Sequence, residues 1–411
     1  MSLSDNIRNH RRRVGLSQEG LAEEAGLSVG VVRKVEQGGN VQVETIRMLA
    51  RALGTTTSSL FATEAPDPVR VNAGDGPKLT ELRRALMPPV GLVETLAAEP
   101  EQEISLPALQ RDIEDQHALY RSDRYDSVAK KLPGILRAAE AAVVLSDDGG
   151  DRRQAVITRA RAFLLTGKYL TQVRRYDLAY HALSRGIQDA RSVGEVQLAT
   201  NGVVGMGWLL LRQDRFDEAE HLATVTADEV EPRMSSALPE QLAVWGELLQ
   251  RVASAAIRNN RPDVAGEARR MATTAASALG REHMDFARHW GTFGPVTAET
   301  KAIEDLSLIG DARGVLSRAD DGPVSGKALK KLGRPSPNNW DRHRLDVARA
   351  HVLLGAHQDA MDELAGIKAS APEWLRHQTM ARRIVQDILQ RRKRTLTQDM
   401  RDMATHLEVS G

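Results

Sequence analysis

Cysteine is absent from all 411 residues, which removes disulfides, thiolate metal sites and cysteine nucleophiles together and fits a reducing compartment. An excess of one charge is missing too. Fifty-six Lys and Arg stand against 55 Asp and Glu, so any surface for nucleic acid must be local and not a property of the whole chain. No window approaches the roughly 18 uninterrupted apolar residues of a membrane span, and the opening MSLSDNIRNHRRR lacks the apolar stretch of a secretion signal. We therefore expect a cytoplasmic protein with no membrane role. Aromatics are sparse at 4%. Glycine-rich phosphate loops, GxSxG and HExxH are all missing, so neither an enzyme nor a cofactor is expected. Asp285 and His289 are four apart, the spacing of one helical face, but with no second ligand pair they read as a surface pair.

What is present is helical. Ala, Leu, Arg, Glu, Asp and Gln dominate long stretches, and Val seldom alternates with polar residues as a half-buried strand requires. The length predicts two or three domains. Between Asp5 and Leu60 the pattern divides into about five short helices. Ile7 and Val14 are the expected inward residues of the first, ended by Gly15 as the left-handed residue. Ser17 caps a second helix with the stripe Leu21, Ala22, Ala25, stopped by Gly26, and Ser28 caps a third that runs to Gly38. Ile46, Leu49, Ala50 and Leu53 make a fourth helix that lids the small core. Two capped helices across a glycine-containing turn form a helix-turn-helix.

The strings GLSQEGLAEEAGLS, VEQG and IRMLARALGTT resemble the Cro/repressor-type helix-turn-helix domain of lambdoid phage repressors and the xenobiotic-response-element regulators. In the third helix Val31 or Val32 with Val35 face the core, leaving Val29, Gly30, Arg33, Lys34 and Gln37 outward. The resemblance implies that Val29, Gly30, Arg33 and Lys34 read base edges. A cation donates to guanine, a valine packs on a thymine methyl, and glycine permits close approach. It also places Gln18, Gln37, Gly39 and Asn40 along the phosphates, and Arg11 with Glu36 in a structural ion pair. Val41 and Gln42 depart from the family's usual proline and serine and leave the fourth helix poorly capped. The run RNHRRR is either a solvated helix face or a phosphate contact. The implied partner is double-stranded DNA bearing a palindromic operator, bound by a homodimer.

Residues 62–78, with three prolines and two glycines, read as a linker, and a short amphipathic segment follows up to Pro88 and Pro89. The division is thus a DNA-binding domain over 1–62, a linker with a short helix over 63–103, and a repeat region over 104–411. In that region Arg124-Tyr125-Asp126-Ser127-Val128 returns as Arg175-Tyr176-Asp177-Leu178-Ala179, Arg215-Phe216-Asp217-Glu218-Ala219 and Arg261-Pro262-Asp263-Val264-Ala265, with looser copies around Val315 and Ala360. The step is about 40 to 51 residues. Each string is a turn opening the second helix of a pair, and Gly167, Gly207 and Ala348, twelve residues before Ala179, Ala219 and Ala360, are expected to let the pairs pack closely. The recurrence, with Pro232 and Pro372 at repeat ends, resembles tetratricopeptide repeats. It implies an all-α fold whose C-terminal part is a right-handed α-solenoid. The combination is similar to actinobacterial regulators with tetratricopeptide-like domains, and to peptide-pheromone-sensing regulators of Gram-positive bacteria; arginine exceeds lysine about four to one, as a high-GC genome produces.

Solenoids bind on their concave face. Registering the repeats places Gln110, His117, Arg121, Arg161, Lys168, Gln172, Asn201, Trp208, Arg212, Arg342 and Arg349 there. Arg161, Lys168, Gln172, Asn201, Trp208, Arg212 and Arg349 are the expected ligand set for a carboxylate-bearing small molecule or a peptide. The same arginines equally suit pairing with acids of neighbouring repeats, and the array equally suits an assembly platform for a partner protein. The run QRRKR at 390–394 reads as the solvated end of a long helix.

Overall fold

The computed structural model describes residues 3–39, 41, 43–53, 55, 60, 77–89, 105–146, 149–284, 291–391 and 397–409. It divides into two compact units, Met1–Pro77 and Lys78–Gly411. Among the described residues the regular structure is helical, and one isolated antiparallel bridge joins His283 to Phe293. No described helix is long and apolar enough to cross a membrane.

The first unit contains α1 (Leu3–Arg13), α2 (Gln18–Ala25), α3 (Val29–Glu36) and α4 (Val43–Ala52). A fifth helix, expected before Leu60, falls largely outside the described residues, as do Asn40 and Gln42. Gly15, Gly26 and Gly38 all adopt positive φ (74°, 63° and 84°) and end α1, α2 and α3. Ser17 Oγ accepts the Gly20 amide at 3.0 Å, whereas Ser28 has cap geometry but no side-chain cap bond. Ile7, Leu21, Ala22, Ala25, Val32, Val35, Ile46, Leu49, Ala50 and Leu53 make the core. Val14 does not join them; it is 49% exposed, because α1 ends at Arg13 and the chain turns at the left-handed Gly15, so Val14 leaves the face that Ile7, His10 and Arg11 share.

The second unit holds α5 (Pro77–Leu86), α6 (Leu106–Arg121), α7 (Tyr125–Leu145), α8 (Gly150–Gln172), α9 (Tyr176–Ser192), α10 (Val196–Arg212), α11 (Phe216–Glu229), α12 (Pro239–Arg258), α13 (Pro262–Leu279), α14 (Pro295–Ile309), α15 (Ala312–Arg318), α16 (Gly326–Leu332), α17 (Pro337–Leu353), α18 (His357–Ser370), α19 (Pro372–Arg376), α20 (Thr379–Arg391) and α21 (Gln398–His406). The helices pack in pairs, α6 on α7, α8 on α9, α10 on α11 and α12 on α13, then α14 on α15, α17 on α18 and α20 on α21. The first members also touch in series, from α6 through α8, α10, α12, α14 and α17 to α20.

Seven of the reversals between these helices use one device. A residue with positive φ follows the helix, and the next amide donates to the carbonyl five residues back. Asp123, Arg174, Asp214 and Asn260 supply it before the four recurrent strings (φ 63°, 64°, 59° and 58°), and Gly194, Gly310 and Gly355 supply it elsewhere. The bonds are Arg124 to Leu119 at 3.0 Å, Arg175 to Leu170 at 2.8 Å, Arg215 to Leu210 at 3.0 Å and Arg261 to Ala256 at 2.8 Å. The glycine turns repeat it, Glu195 to Ala190, Asp311 to Leu306 and Ala356 to His351, at 2.9, 3.0 and 2.9 Å.

Close packing occurs at Gly167, where a Cβ would stand 2.5 Å from Leu183 Cγ, and at Gly202, 2.5 Å from Ile187 Cγ1. Gly207 is different. A Cβ there would meet only Arg251 of α12, at 3.6 Å, so its small size does not serve contact with α11. Between α7, α8 and α9 the Arg159 guanidinium holds Asp189 through two bonds (2.8 and 2.9 Å) and Glu140 through a third (2.8 Å).

The ends of the series meet. The Asp126 amide donates to Glu373 Oε2 at 3.1 Å, Asn338 Nδ2 reaches the Tyr125 hydroxyl at 3.4 Å, and the Tyr125 and His377 rings lie 6.2 Å apart. Asp123 is buried at this junction. Burial pushes its carboxyl up to about 7; the amides of Trp374 and Glu373 oppose the rise and the Glu373 carboxylate adds to it. Its unfolded value is about 4, so the folded state binds the extra proton and stability falls as pH rises from about 4 through 7. Asparagine keeps the left-handed backbone without the charge. We expect Asp123→Asn to stabilise the unit by about 1–3 kcal/mol at pH 8, with the gain vanishing toward pH 4 in thermal or urea unfolding.

Candidate nucleic-acid interface and interior charge cluster

The helix-turn-helix is built around one carboxylate. Glu36, the last residue of α3, is buried. Arg11 of α1 donates to it twice, Nε to Oε1 at 2.6 Å and Nη2 to Oε2 at 3.1 Å, and sends Nη1 to the Leu16 carbonyl at 2.9 Å. Gln18 Nε2 at the start of α2 donates to Glu36 Oε2 at 2.7 Å, and Arg8 caps the Glu36 carbonyl at 2.5 Å. One carboxylate thus fixes three helices. Burial alone would raise the Glu36 carboxyl, but the bonds from Arg11 and Gln18 overcome it and hold the group below its usual range.

The expected base readers lie on α3. Gly30, Arg33 and Lys34 are exposed, while Val29 is half-buried against the core and offers only part of its side chain. Arg33 is folded back on α2, with Nη2 3.0 Å from Glu19 Oε1 and Nε 3.3 Å from Gln18 Oε1. Of the expected phosphate contacts, Gln18 is half-buried and already engaged on both sides, Gln37 is exposed, and Asn40 lies outside the described residues. Gly39 follows the left-handed Gly38, donates to the Lys34 carbonyl at 2.8 Å, and sits where a Cβ would be 2.6 Å from Lys34 Cγ. Only glycine fits against the Lys34 stem there. RNHRRR divides: His10 and Arg11 are buried, while Arg12 is exposed.

In the second unit the residues three, seven and fourteen positions before each turn fall in register. They bring His117, Lys168 and Trp208 into one row and Arg121, Gln172 and Arg212 into another. The Lys168 ammonium is drawn down to about 8 by burial, with Glu247 opposing and Arg251 and Arg121 adding to the fall. Gln172 is buried, and its Nε2 meets no hydrogen-bond partner among the described residues. Asn201 is buried. Arg212 stacks on Trp208, its Cζ 5.1 Å from the ring centroid. Burial pulls its guanidinium down to about 9, with Arg342 and Arg174 adding to the fall and Tyr176 opposing it. Arg161 lies 3.8 Å from Glu114. Arg349 stands apart, with Nη1 donating to the Ser307 carbonyl at 3.1 Å. In the wider row Gln110 reaches Thr158 at 3.1 Å, Arg121 meets His117 Nδ1 at 2.7 Å, and Arg342 donates to Gln378 Oε1 at 2.8 Å.

Several interior residues went unpredicted. Glu247 and Glu304 occupy the same register rows as Asn201 and Trp208, a signal that aligning the strings exposes. Glu304 is held by Lys301 at 2.7 Å and Arg258 at 2.7 Å. Arg174 is the other omission. Asp285 and His289 lie outside the described residues, as do 392–394 of the terminal basic run, and no cluster of three His, Asp or Glu suited to a metal occurs among those described.

A family model described as helix-turn-helix matches residues 7–60. Among curated proteins the chain matches none. The matched segment coincides with the helices organised by Glu36, and this part of the chain is similar to helix-turn-helix domains, a type that suggests a DNA-binding regulator.

Because Glu36 is buried and held by Arg11, Glu36→Ala leaves that cation buried and unpaired. The substitution is expected to destabilise the first unit by about 3–5 kcal/mol, measured as the loss of its unfolding transition. The native contribution is fully present above about pH 4.5 and is lost as pH falls through the depressed carboxyl value.

Proposed function

We propose that the chain is a cytoplasmic, sequence-specific transcriptional regulator that binds a two-fold operator as a homodimer, and that its C-terminal helix pairs form a tetratricopeptide-like solenoid sensing an anionic effector. The DNA half rests on one observation: α3 is locked at its end by Glu36 while Gly30, Arg33 and Lys34 remain on its outer face. A rigid helix with a bare backbone followed one turn later by two cations suits a major groove, where Arg or Lys donates to guanine O6 and N7.

Arg33 must release Glu19 and Gln18 to reach DNA. Both members of its ion pair are more than half exposed, so the release costs little, about 0–1 kcal/mol. Gln18 keeps one amide hydrogen beyond the one given to Glu36, and at the first turn of α2 that hydrogen suits a phosphate. Gly39, with no side chain, leaves room for the Lys34 stem and donates its amide to the Lys34 carbonyl at the end of α3.

The sensor half rests on the interior cations Arg174 and Arg212, whose buried nitrogens meet no hydrogen-bond partner among the described residues. A second reading, an assembly platform for a partner protein, is favoured by Val144, Leu145 and Val196, exposed by 62–67% at helix ends; surface of that kind suits association.

Footprinting on the operator is expected to give two protected half-sites about one helical turn apart. Lys34→Ala should relax preference at particular base pairs by about 1–3 kcal/mol, while Gln18→Ala weakens all sequences alike. A single half-site occupied by a monomer, or an unchanged preference in Lys34→Ala, would overturn the two-fold reading or the register of α3 respectively.

A further inference from the structure

We propose that Arg174, Arg212 and Arg342 form an oxyanion site inside the C-terminal unit, whose ligand is a small molecule bearing a phosphate-type dianion. The site deepens the sensor reading above and rests on it only for its biological purpose. Most interior cations have an acid at hand. Lys168 faces Glu247, Arg251 faces Glu247 and Glu304, and Arg258 and Lys301 bond Glu304 directly. Around Arg212 the pattern stops. Its Nε and Nη2 are shielded from solvent and meet no hydrogen-bond partner among the described residues, and the same holds for Arg174 Nε. No carboxylate forms an ion pair with either guanidinium among those residues. Leaving such donors buried and unsatisfied is costly, so a site of this kind is built for something that completes it.

Two further observations point the same way. Gln172, in the register row of Arg212 on the neighbouring first helix, has a buried amide nitrogen that also lacks a partner. Arg174 occupies the left-handed position of its turn, where the equivalent residues are Asp123, Asp214, Asn260, Gly194, Gly310, Gly355 and Glu408. All of these but Glu408 are residue types that tolerate that backbone, and arginine is not one of them. A long cation kept there against its backbone preference is the kind of strain found at binding sites.

The chemistry selects the ligand. Arg174 and Arg342 both lie within electrostatic reach of Arg212. Arg342 is steadied by Gln378 and by Trp374, 5.9 Å from its Cζ, and Arg212 by Trp208. Three planar forks, two of them stacked on indoles, match a tetrahedral oxyanion with several acceptors. Arg342 has Glu304 and Asp346 within electrostatic reach, which leaves Arg174 and Arg212 uncompensated; a single carboxylate neutralises one of those two charges, whereas a phosphate group carries nearly two and presents three acceptor oxygens. Arg174 follows α8, Arg212 ends α10 and Arg342 lies on α17, so the bound anion ties early helices to late ones beside the junction made by Asp126 with Glu373.

The test uses the full chain and inorganic pyrophosphate, with citrate and sodium chloride at matched ionic strength. Pyrophosphate is expected to raise the unfolding temperature of the C-terminal unit by about 5 °C at a hundredfold excess over Kd, with chloride giving no such shift. Arg212→Gln and Arg174→Gly should each raise the unfolding temperature in anion-free buffer and weaken pyrophosphate binding at least tenfold by calorimetry. A shift no larger than that of chloride, a variant that binds pyrophosphate as tightly as the parent, or an Arg212→Gln protein less stable than the parent without anion would overturn the site. An equal response to citrate would overturn the phosphate assignment. Operator affinity measured with and without pyrophosphate separates the two claims: binding that leaves it unchanged removes the sensor reading and keeps the site.

Discussion

A single left-handed residue, placed after the first helices α6, α8, α10, α12, α14 and α17, sets the geometry on which the C-terminal unit depends. The amide after it reaches back five residues, which satisfies carbonyls that would otherwise be orphaned and fixes where the next helix starts. Because the device repeats, positions counted backward from it fall into rows. Side chains three, seven and fourteen residues before the residue that follows the left-handed one share one face on the first helices α6, α8, α10, α12, α14 and α17, and polar residues in those rows are gathered into the interior whatever their neighbours in sequence. Concentrating charge there is a result of the turn before it is a result of any ion pair.

Desolvation then sorts the gathered groups. Where the rows also contain Glu247 and Glu304, cations and acids compensate one another, and Glu304 is held well below the normal carboxylate range despite full burial. Where the rows contain Arg212 and Gln172, no acid arrives, and burial pulls the guanidinium down. The first unit solves the same problem on a smaller scale: Glu36 is buried, but it meets Arg11, Gln18 and Arg8 together, so its charge becomes an organising centre.

Local backbone chemistry was legible in the sequence. Gly15, Gly26, Gly38 and Ser17 act as their residue types dictate, and the core residues of α2 and α4 follow helical spacing, because these features depend on neighbours within four positions. Val14 was not legible, since helical spacing puts it on the face of Ile7 and Arg11 while the helix ends one residue before it, at Arg13. Ser28 has the right residue type and backbone, yet its hydroxyl does not close the cap. In the second unit the recurrent strings marked the turns, but the partners of the interior side chains did not follow. Arg349 is engaged by Ser307, forty-two residues away, and Gly207 faces Arg251 across a helix interface. Contacts of that range depend on how helices stack, and the meeting of residues 123–126 with 373–377 leaves no periodic trace at all.

That meeting limits how this chain can change. An open stack of helix pairs tolerates duplication or loss of a pair, since each pair needs only its neighbours. Here the Asp126 amide and the Tyr125 ring find Glu373 and His377 only when the number of intervening pairs brings them together. Adding one pair would rotate the last helices past the first and strand a buried junction in water. The count of pairs is therefore a fixed quantity of this protein, and variation is steered toward side chains and loops rather than toward length.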